Sequence, residues 1–154
     1  MKERATVICE RGSCILLVGK AGARWNLPGG KLKPDETIRQ AASRELLEET
    51  HLDAVELHYL FAFVGTRTRH HVFLARLPDD PAPAPGREIA RCGWFDIARL
   101  ARLRTSTAVK VIVGMLALSR RSGLRGDQDG ETASDANAVP RKPAASRATL
   151  SAAP

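Results

Sequence analysis

The chain has 154 residues, 44% apolar and 27% charged, which fits one soluble domain plus a tail and leaves no room for two full domains. No apolar run approaches the roughly 18 residues of a membrane span, and Met1-Lys2-Glu3-Arg4 leads directly into strand-like sequence without a signal peptide, so the expected setting is cytoplasmic. With 24 Lys and Arg against 17 Asp and Glu, net charge +7, the expected partners are anionic, either polyphosphates or nucleic acid.

Residues 4–10 and 13–19 are rich in β-branched and aliphatic side chains and flank Gly12, a hairpin pattern. A turn at Arg11-Gly12 would set Cys9 opposite Cys14. The cysteine count is three, with no CxxC or Cys/His cluster, so reduced strand thiols are expected rather than a disulfide framework or zinc site. Residues 20–35 read as a loop punctuated by Gly22, Pro28, Gly29, Gly30 and Pro34. A helix follows from Thr37 to about Glu49, with Asp35 as the expected N-cap and Glu36 near the positive helix end. Residues 55–65 and 70–77 read as a second hairpin, in which Tyr59, Phe61, Phe63 and Phe73 alternate as core residues. A proline-rich loop over 78–86 leads to a short strand at 90–95. Asp96 caps a short helix through Leu100, and an apolar helix spans 105–119. Residues 120–154 carry six basic and four acidic side chains but few large apolar ones, and are expected to be disordered.

The first helix breaks its own pattern. At about 100° per residue, Ile38, Ala41, Ala42, Glu45, Glu48, Glu49 and Leu52 fall within roughly 60° of one direction. Arg39, Gln40, Ser43, Leu47 and Thr50 lie opposite. The stripe that begins apolar therefore ends in three carboxylates. Carboxylates at these spacings repel one another, and more strongly toward a low-dielectric interior. Arg44 alone cannot neutralise three of them, whereas a divalent cation can. Oxygen-only donors suit Mg²⁺ or Mn²⁺. The alternative is a solvated acidic helix face. Just upstream, Leu27-Pro28-Gly29-Gly30-Lys31 offers open backbone and positive charge from Lys31 and Lys33.

Gly30, Glu36 and Arg44-Glu45-Leu46-Leu47-Glu48-Glu49-Thr50-His51-Leu52 resemble the Nudix box, G-x5-E-x7-R-E-U-x-E-E-x-G-U with U a bulky aliphatic. Trp25-Asn26-Leu27-Pro28 and Trp94-Phe95 are similar to further family features, so the resemblance covers about residues 3–118. His51 stands where the box has Gly, which puts the local turn in question rather than the chemistry.

The resemblance implies an α/β fold, a Nudix-type α/β/α sandwich with a mixed β-sheet, over residues 1–119, followed by the 120–154 tail. It implies a metal-dependent pyrophosphohydrolase that cleaves a nucleotide or nucleoside diphosphate derivative by water attack on phosphorus, with Mg²⁺ or Mn²⁺ as cofactor. The implied metal ligands are the Gly29 carbonyl, Glu45, Glu48, Glu49 and Glu88. Glu45 would also be the base for the attacking water, oriented by Arg44, and Glu36 would pair with Arg44. Lys31, Arg67 and Arg69 are candidate substrate-binding residues, with His70 and His71 nearby; the simpler alternative for the 67–71 set is a basic turn with strand-edge histidines. The lack of Tyr at 67–69 and of Pro at 67 leans toward a compact MutT-like member. A non-catalytic nucleotide-binding or regulatory module is the alternative function, and RNA 5′ ends are a further candidate substrate. No feature of the sequence fixes the oligomeric state.

Overall fold

The computed structural model of the chain describes residues 1–123, so the expectation for the tail lies outside the described residues from position 124 onward. In chain order the elements are β1 (Lys2–Arg11), β2 (Cys14–Gly19), β3 (Gly29–Lys31), α1 (Ile38–Thr50), β4 (Glu56–Val64), β5 (Thr68–Arg76), β6 (Arg91–Asp96), a 3-10 helix (Ile97–Arg102) and α2 (Thr107–Arg121). The sheet runs β4-β5-β1-β2-β6, with β3 on β1. β1 pairs parallel with β5 and antiparallel with β2 and β3, so the sheet is mixed. One edge of β1 is shared: residues 4–6 pair with β3, and Glu10 and Arg11 pair with β2.

The β-strand period of two sorts β1 onto two cores. Ala5, Val7 and Cys9 pack with Leu16, Phe73, Ala75 and the Ala41, Ala42 and Leu46 face of α1. Ile8 packs on the other side with Ile15, Leu17, Val72 and the Val109, Ile112, Val113 and Leu116 face of α2. The result is an α/β/α sandwich. Phe73 is fully buried, Phe61 and Phe63 pack partly buried against the α2-side core, and Tyr59 stands edge-on to Phe73 at 5.3 Å. Among the described residues, no helix is long and apolar enough to cross a membrane.

Four local expectations shift. The first turn is Gly12-Ser13, because Arg11 pairs with Cys14. Cys14 therefore faces Arg11 rather than Cys9, and Cys9 lies beside Ala75 in the β1–β5 ladder. All three cysteines are free, and burial pushes the Cys9 thiol up to about 12. Within the 20–35 loop, Gly29–Lys31 is a strand, made by pairing with β1 that no local pattern announces.

The N-cap is Thr37, not Asp35. Thr37 and Gln40 form a reciprocal capping box, each side chain bonding the other residue's backbone N–H. Asp35 has φ 62, the left-handed region, whereas an N-cap requires extended backbone. At the other end of the chain α2 runs to Arg121, past the expected stop at 119. Arg120 forms a two-pronged ion pair with Glu10, at 2.7 and 2.8 Å. Thr37→Ala is expected to lower unfolding free energy by about 1 kcal/mol, with Thr37→Ser near wild type; equal urea midpoints for all three proteins would contradict this cap.

Candidate active site

Tertiary packing turns the buried side of α1 slightly off the stripe that the sequence projects, whose Ala41, Ala42 and Leu52 are buried and whose Ile38 packs against the same core. Ala41, Ala42, Leu46 and Thr50 are buried, and Arg39 donates to the Leu57 carbonyl with its guanidinium 5.5 Å from the Phe73 ring centre. Arg39 and Thr50 therefore contact the protein, although the helical wheel sets them opposite. This rotation separates the three carboxylates. The Glu45 side chain is only 16% exposed, whereas that of Glu48 is 54% exposed. Glu49 is half-buried.

Glu45 and Glu49 converge on the Gly29-Gly30 pair of β3. The Gly29 N–H donates to a Glu49 carboxylate oxygen at 2.8 Å. Gly29 has φ 145, and a Cβ there would sit 2.1 Å from the Ala5 carbonyl oxygen. A Cβ on Gly30 would lie 2.0 Å from Glu45 Oε1. One glycine thus lets β3 close on β1, and the other leaves room for a carboxylate.

Arg44 organises the set from outside. Its guanidinium donates to Glu36 at 2.7 and 3.0 Å, to Glu45 at 2.7 Å, to Glu48 at 3.1 Å and to the Lys31 carbonyl at 3.2 Å. The Arg44 hydrogen bonds hold the Glu36 carboxyl down to about 2, and those same contacts, Glu36 foremost, hold Arg44 firmly protonated. Glu49 moves the other way. Burial pushes it up to about 7, and the neighbouring Glu45 charge adds to this, against the opposing Gly29 N–H, Arg4 and Lys20.

These groups line a cleft of about 600 Å³ that includes Arg4, Lys20, Asn26, Gly29, Gly30, Lys31, Lys33, Glu45, Glu49 and Glu88. Glu88 reaches it because the proline-rich loop docks on the end of α1: the Ala84 and Gly86 N–H groups donate to the Thr50 and Glu49 carbonyls at 2.9 and 3.1 Å. Glu88 is exposed and pairs with Lys20 at 3.3 Å. His51 supports this docking. It adopts the left-handed conformation, φ 58, that the box glycine would supply, and its Nδ1 lies 2.9 Å from the Ala84 carbonyl.

Arg67 and Arg69, expected to bind substrate, do not line this cleft. Arg67 lies in the β4–β5 turn and Arg69 near the start of β5, where the parallel register sets it beside Glu3, its ion partner at 3.3 Å. His71 Nε2 also meets Glu3, at 2.7 Å, and His70 meets Thr6 at 3.0 Å. The basic-turn alternative fits these contacts. Conversely, Arg4 and Lys20 enter the cleft unannounced. Arg4 is carried in by the β1–β3 pairing, and its guanidinium donates to the Gly29 carbonyl, the oxygen expected to face a metal. Nothing near either residue in the sequence marks it.

Among the described residues, no three His, Cys, Asp or Glu side chains are grouped ready to hold a metal ion, because Glu48 turns toward Arg44 and Lys33. The donor chemistry nevertheless fits a hard cation: two carboxylates end on the Gly29-Gly30 pair beside a backbone carbonyl, and one of them is poorly solvated as an anion.

The NUDIX domain family matches residues 2–113, and the chain belongs to that family. It is 36% identical over 102 residues to the oxidized purine nucleoside triphosphate hydrolase of Danio rerio, covering 61% of this chain and 65% of that protein. It is 34% identical over 100 residues to a putative 8-oxo-dGTP diphosphatase of Bacillus subtilis, covering 61% of this chain and 64% of that one. The chain thus spans slightly less than two thirds of the length of these relatives. A MutT structure from a study of the Aliivibrio salmonicida and Vibrio cholerae proteins superposes with TM-score 0.65 at 25% identity, over 77% of this chain and 98% of that one.

The two displaced carboxyls have opposite linkage to stability. Glu49, raised from 4.5 to about 7, holds its proton more tightly when folded, so its contribution is full below pH 4.5 and is lost as pH rises through about 7. Glu36, lowered to about 2, contributes above pH 4.5, and that contribution is lost as pH falls toward 2. In chelated buffer the stability of Glu49→Gln relative to wild type is expected to increase between pH 4.5 and 7. A pH-independent difference in urea unfolding would contradict the Glu49 environment.

Proposed function

We propose that the protein is a divalent-metal-dependent pyrophosphohydrolase acting on nucleotides, with oxidised purine nucleoside triphosphates as its first candidate substrates. The observation that carries this is the meeting of Glu45 and Glu49 at the Gly29-Gly30 pair, inside a cleft that also presents Arg4, Lys20 and Lys31. The names of the Danio rerio and Bacillus subtilis relatives support the substrate class.

Glu45, Glu49 and the Gly29 carbonyl would hold Mg²⁺ or Mn²⁺, with Glu48 and Glu88 joining from the rim. Such an ion would supply positive charge toward the phosphates and toward the attacking water. Glu45 then accepts the proton of the attacking water, oriented by its 2.7 Å bond from Arg44. The water oxygen bonds to phosphorus as the bridging P–O bond breaks, and the leaving phosphate departs as an anion. Arg4, Lys20 and Lys31 offset charge along the phosphate chain. Arg67 and Arg69 have no part in this arrangement. A cytoplasmic setting suits the three free thiols.

A binding-only module is the second reading, favoured by Arg4 on the Gly29 carbonyl and by Glu48 turned to Arg44. Phosphate or pyrophosphate release from a panel of nucleoside triphosphates, nucleoside diphosphate derivatives and 5′-capped RNA separates the two. Turnover with Mg²⁺, abolished by chelator and reduced about 100-fold or more in Glu45→Gln and Glu49→Gln, is expected. Equal rates in wild type and Glu49→Gln, or tight nucleotide binding with no turnover in Mg²⁺ or Mn²⁺, would refute the hydrolase reading. Gly30→Ala retains every carboxylate but crowds Glu45, so kcat is expected to fall about tenfold or more; unchanged kcat would show that Glu45 need not occupy this position.

A further inference from the structure

We infer that Arg91 is a positioning residue that holds the 20–26 loop as one wall of the cleft, an inference that rests on the nucleotide-site reading above. The loop leaves β2 and brings Lys20, Ala23 and Asn26 to the cleft. Both of its ends are tied by backbone. Val18 and Asn26 exchange two N–H to carbonyl bonds of 2.8 Å, and Trp25 donates to the Arg104 carbonyl at 3.0 Å and accepts from Ser106 at 3.1 Å. Its tip is a turn in which the Ala23 N–H donates to the Lys20 carbonyl at 3.0 Å.

Arg91, the first residue of β6, reaches this tip from outside. Its guanidinium lies 4.3 Å from the Trp25 ring centre, and its Nη2 donates to the Ala23 carbonyl at 3.0 Å. Trp25 is in turn braced by Phe95, with ring centres 4.6 Å apart and an angle of 62° between planes. The space for Arg91 is made by Gly19, its partner in the β2–β6 ladder. A Cβ on Gly19 would stand 3.0 Å from Arg91 Nε and 3.5 Å from Trp25 Cε3.

Arg91 itself does not line the cleft, so it acts through the residues that do. The stacked guanidinium is anchored by the indole face and aims its N–H at a single carbonyl. Loosening that carbonyl frees the turn on which Lys20 is mounted. A phosphate chain would then have to order the loop as it binds, and that cost appears in substrate affinity rather than in the chemical step.

The test uses the full chain with Arg91→Ala, read by steady-state kinetics and by amide hydrogen exchange of residues 20–26. KM is expected to rise about tenfold with kcat within about twofold. Exchange in the loop should speed up about tenfold while the two helix cores keep wild-type protection. Arg91→Lys, which keeps a cation over Trp25, should recover part of both effects, and Gly19→Ala, which crowds Arg91, should reproduce them. Wild-type loop exchange in Arg91→Ala, faster exchange spread over the whole domain, or a fall in kcat at constant KM would each overturn the inference. If wild-type protein hydrolyses no nucleotide, the hydrolase reading fails, and loop exchange still decides whether Arg91 holds the wall.

Discussion

Two carboxylates from one helix end against one pair of glycines, and most of the structure serves to make that contact tolerable. Glu45 and Glu49 sit one helical turn apart, partly withdrawn from water, where like charges raise each other's cost. The Glu49 carboxyl is raised first by its burial and further by the Glu45 charge. Arg44 offsets part of it by binding three glutamates at once, and Arg4 and Lys20 offset more through space. What remains is a poorly solvated carboxylate beside the Gly29-Gly30 pair, the feature on which the proposed cation site rests.

The sheet sets that place by dividing one edge of β1. Residues 4–6 of β1 pair with β3 and residues 10–11 with β2. The cleft takes its lining from β3, from the end of β2 and from the loop that joins them. Strand β3 therefore carries backbone groups and Lys31 to the cleft, whereas Lys20 and Lys33 stand on the flanking loops. The proline-rich loop closes another side, held by backbone bonds to the end of α1 and by His51. His51 shows how a departure from the family pattern is absorbed. Its ring finds the Ala84 carbonyl, a hydrogen bond that a glycine could not make and that is comparable in size to the cost of the left-handed backbone, about 1 kcal/mol.

Basic charge in this chain is divided by function. Arg4, Lys20, Lys31 and Lys33 line the cleft, where their convergence makes them effective toward an anion. Arg69 and Arg120 instead pair with Glu3 and Glu10 on either end of β1, and Arg91 stacks on Trp25. A net charge of +7 is therefore a poor guide to which cations meet a ligand, since several are committed to structure.

The sequence by itself carried nearly every strand and helix, through periods of two and 3.6 residues, and through the spacing of Gly30, Glu36, Arg44, Glu45, Glu48 and Glu49 it carried the resemblance that implied the family and the sandwich. It misplaced the first turn by one residue and the helix cap by two, where competing local hydrogen bonds decide and several residues qualify. It projected Thr50 and Arg39 outward, because an ideal wheel has no knowledge of which direction the neighbouring layer approaches. Only the tertiary structure decided that β3 exists, that Arg4 and Lys20 face the cleft while Arg67 and Arg69 do not, and that Glu48 stands at the rim. Each of those follows from the pairing of segments far apart in the chain, and such pairing leaves no mark on the residues beside it.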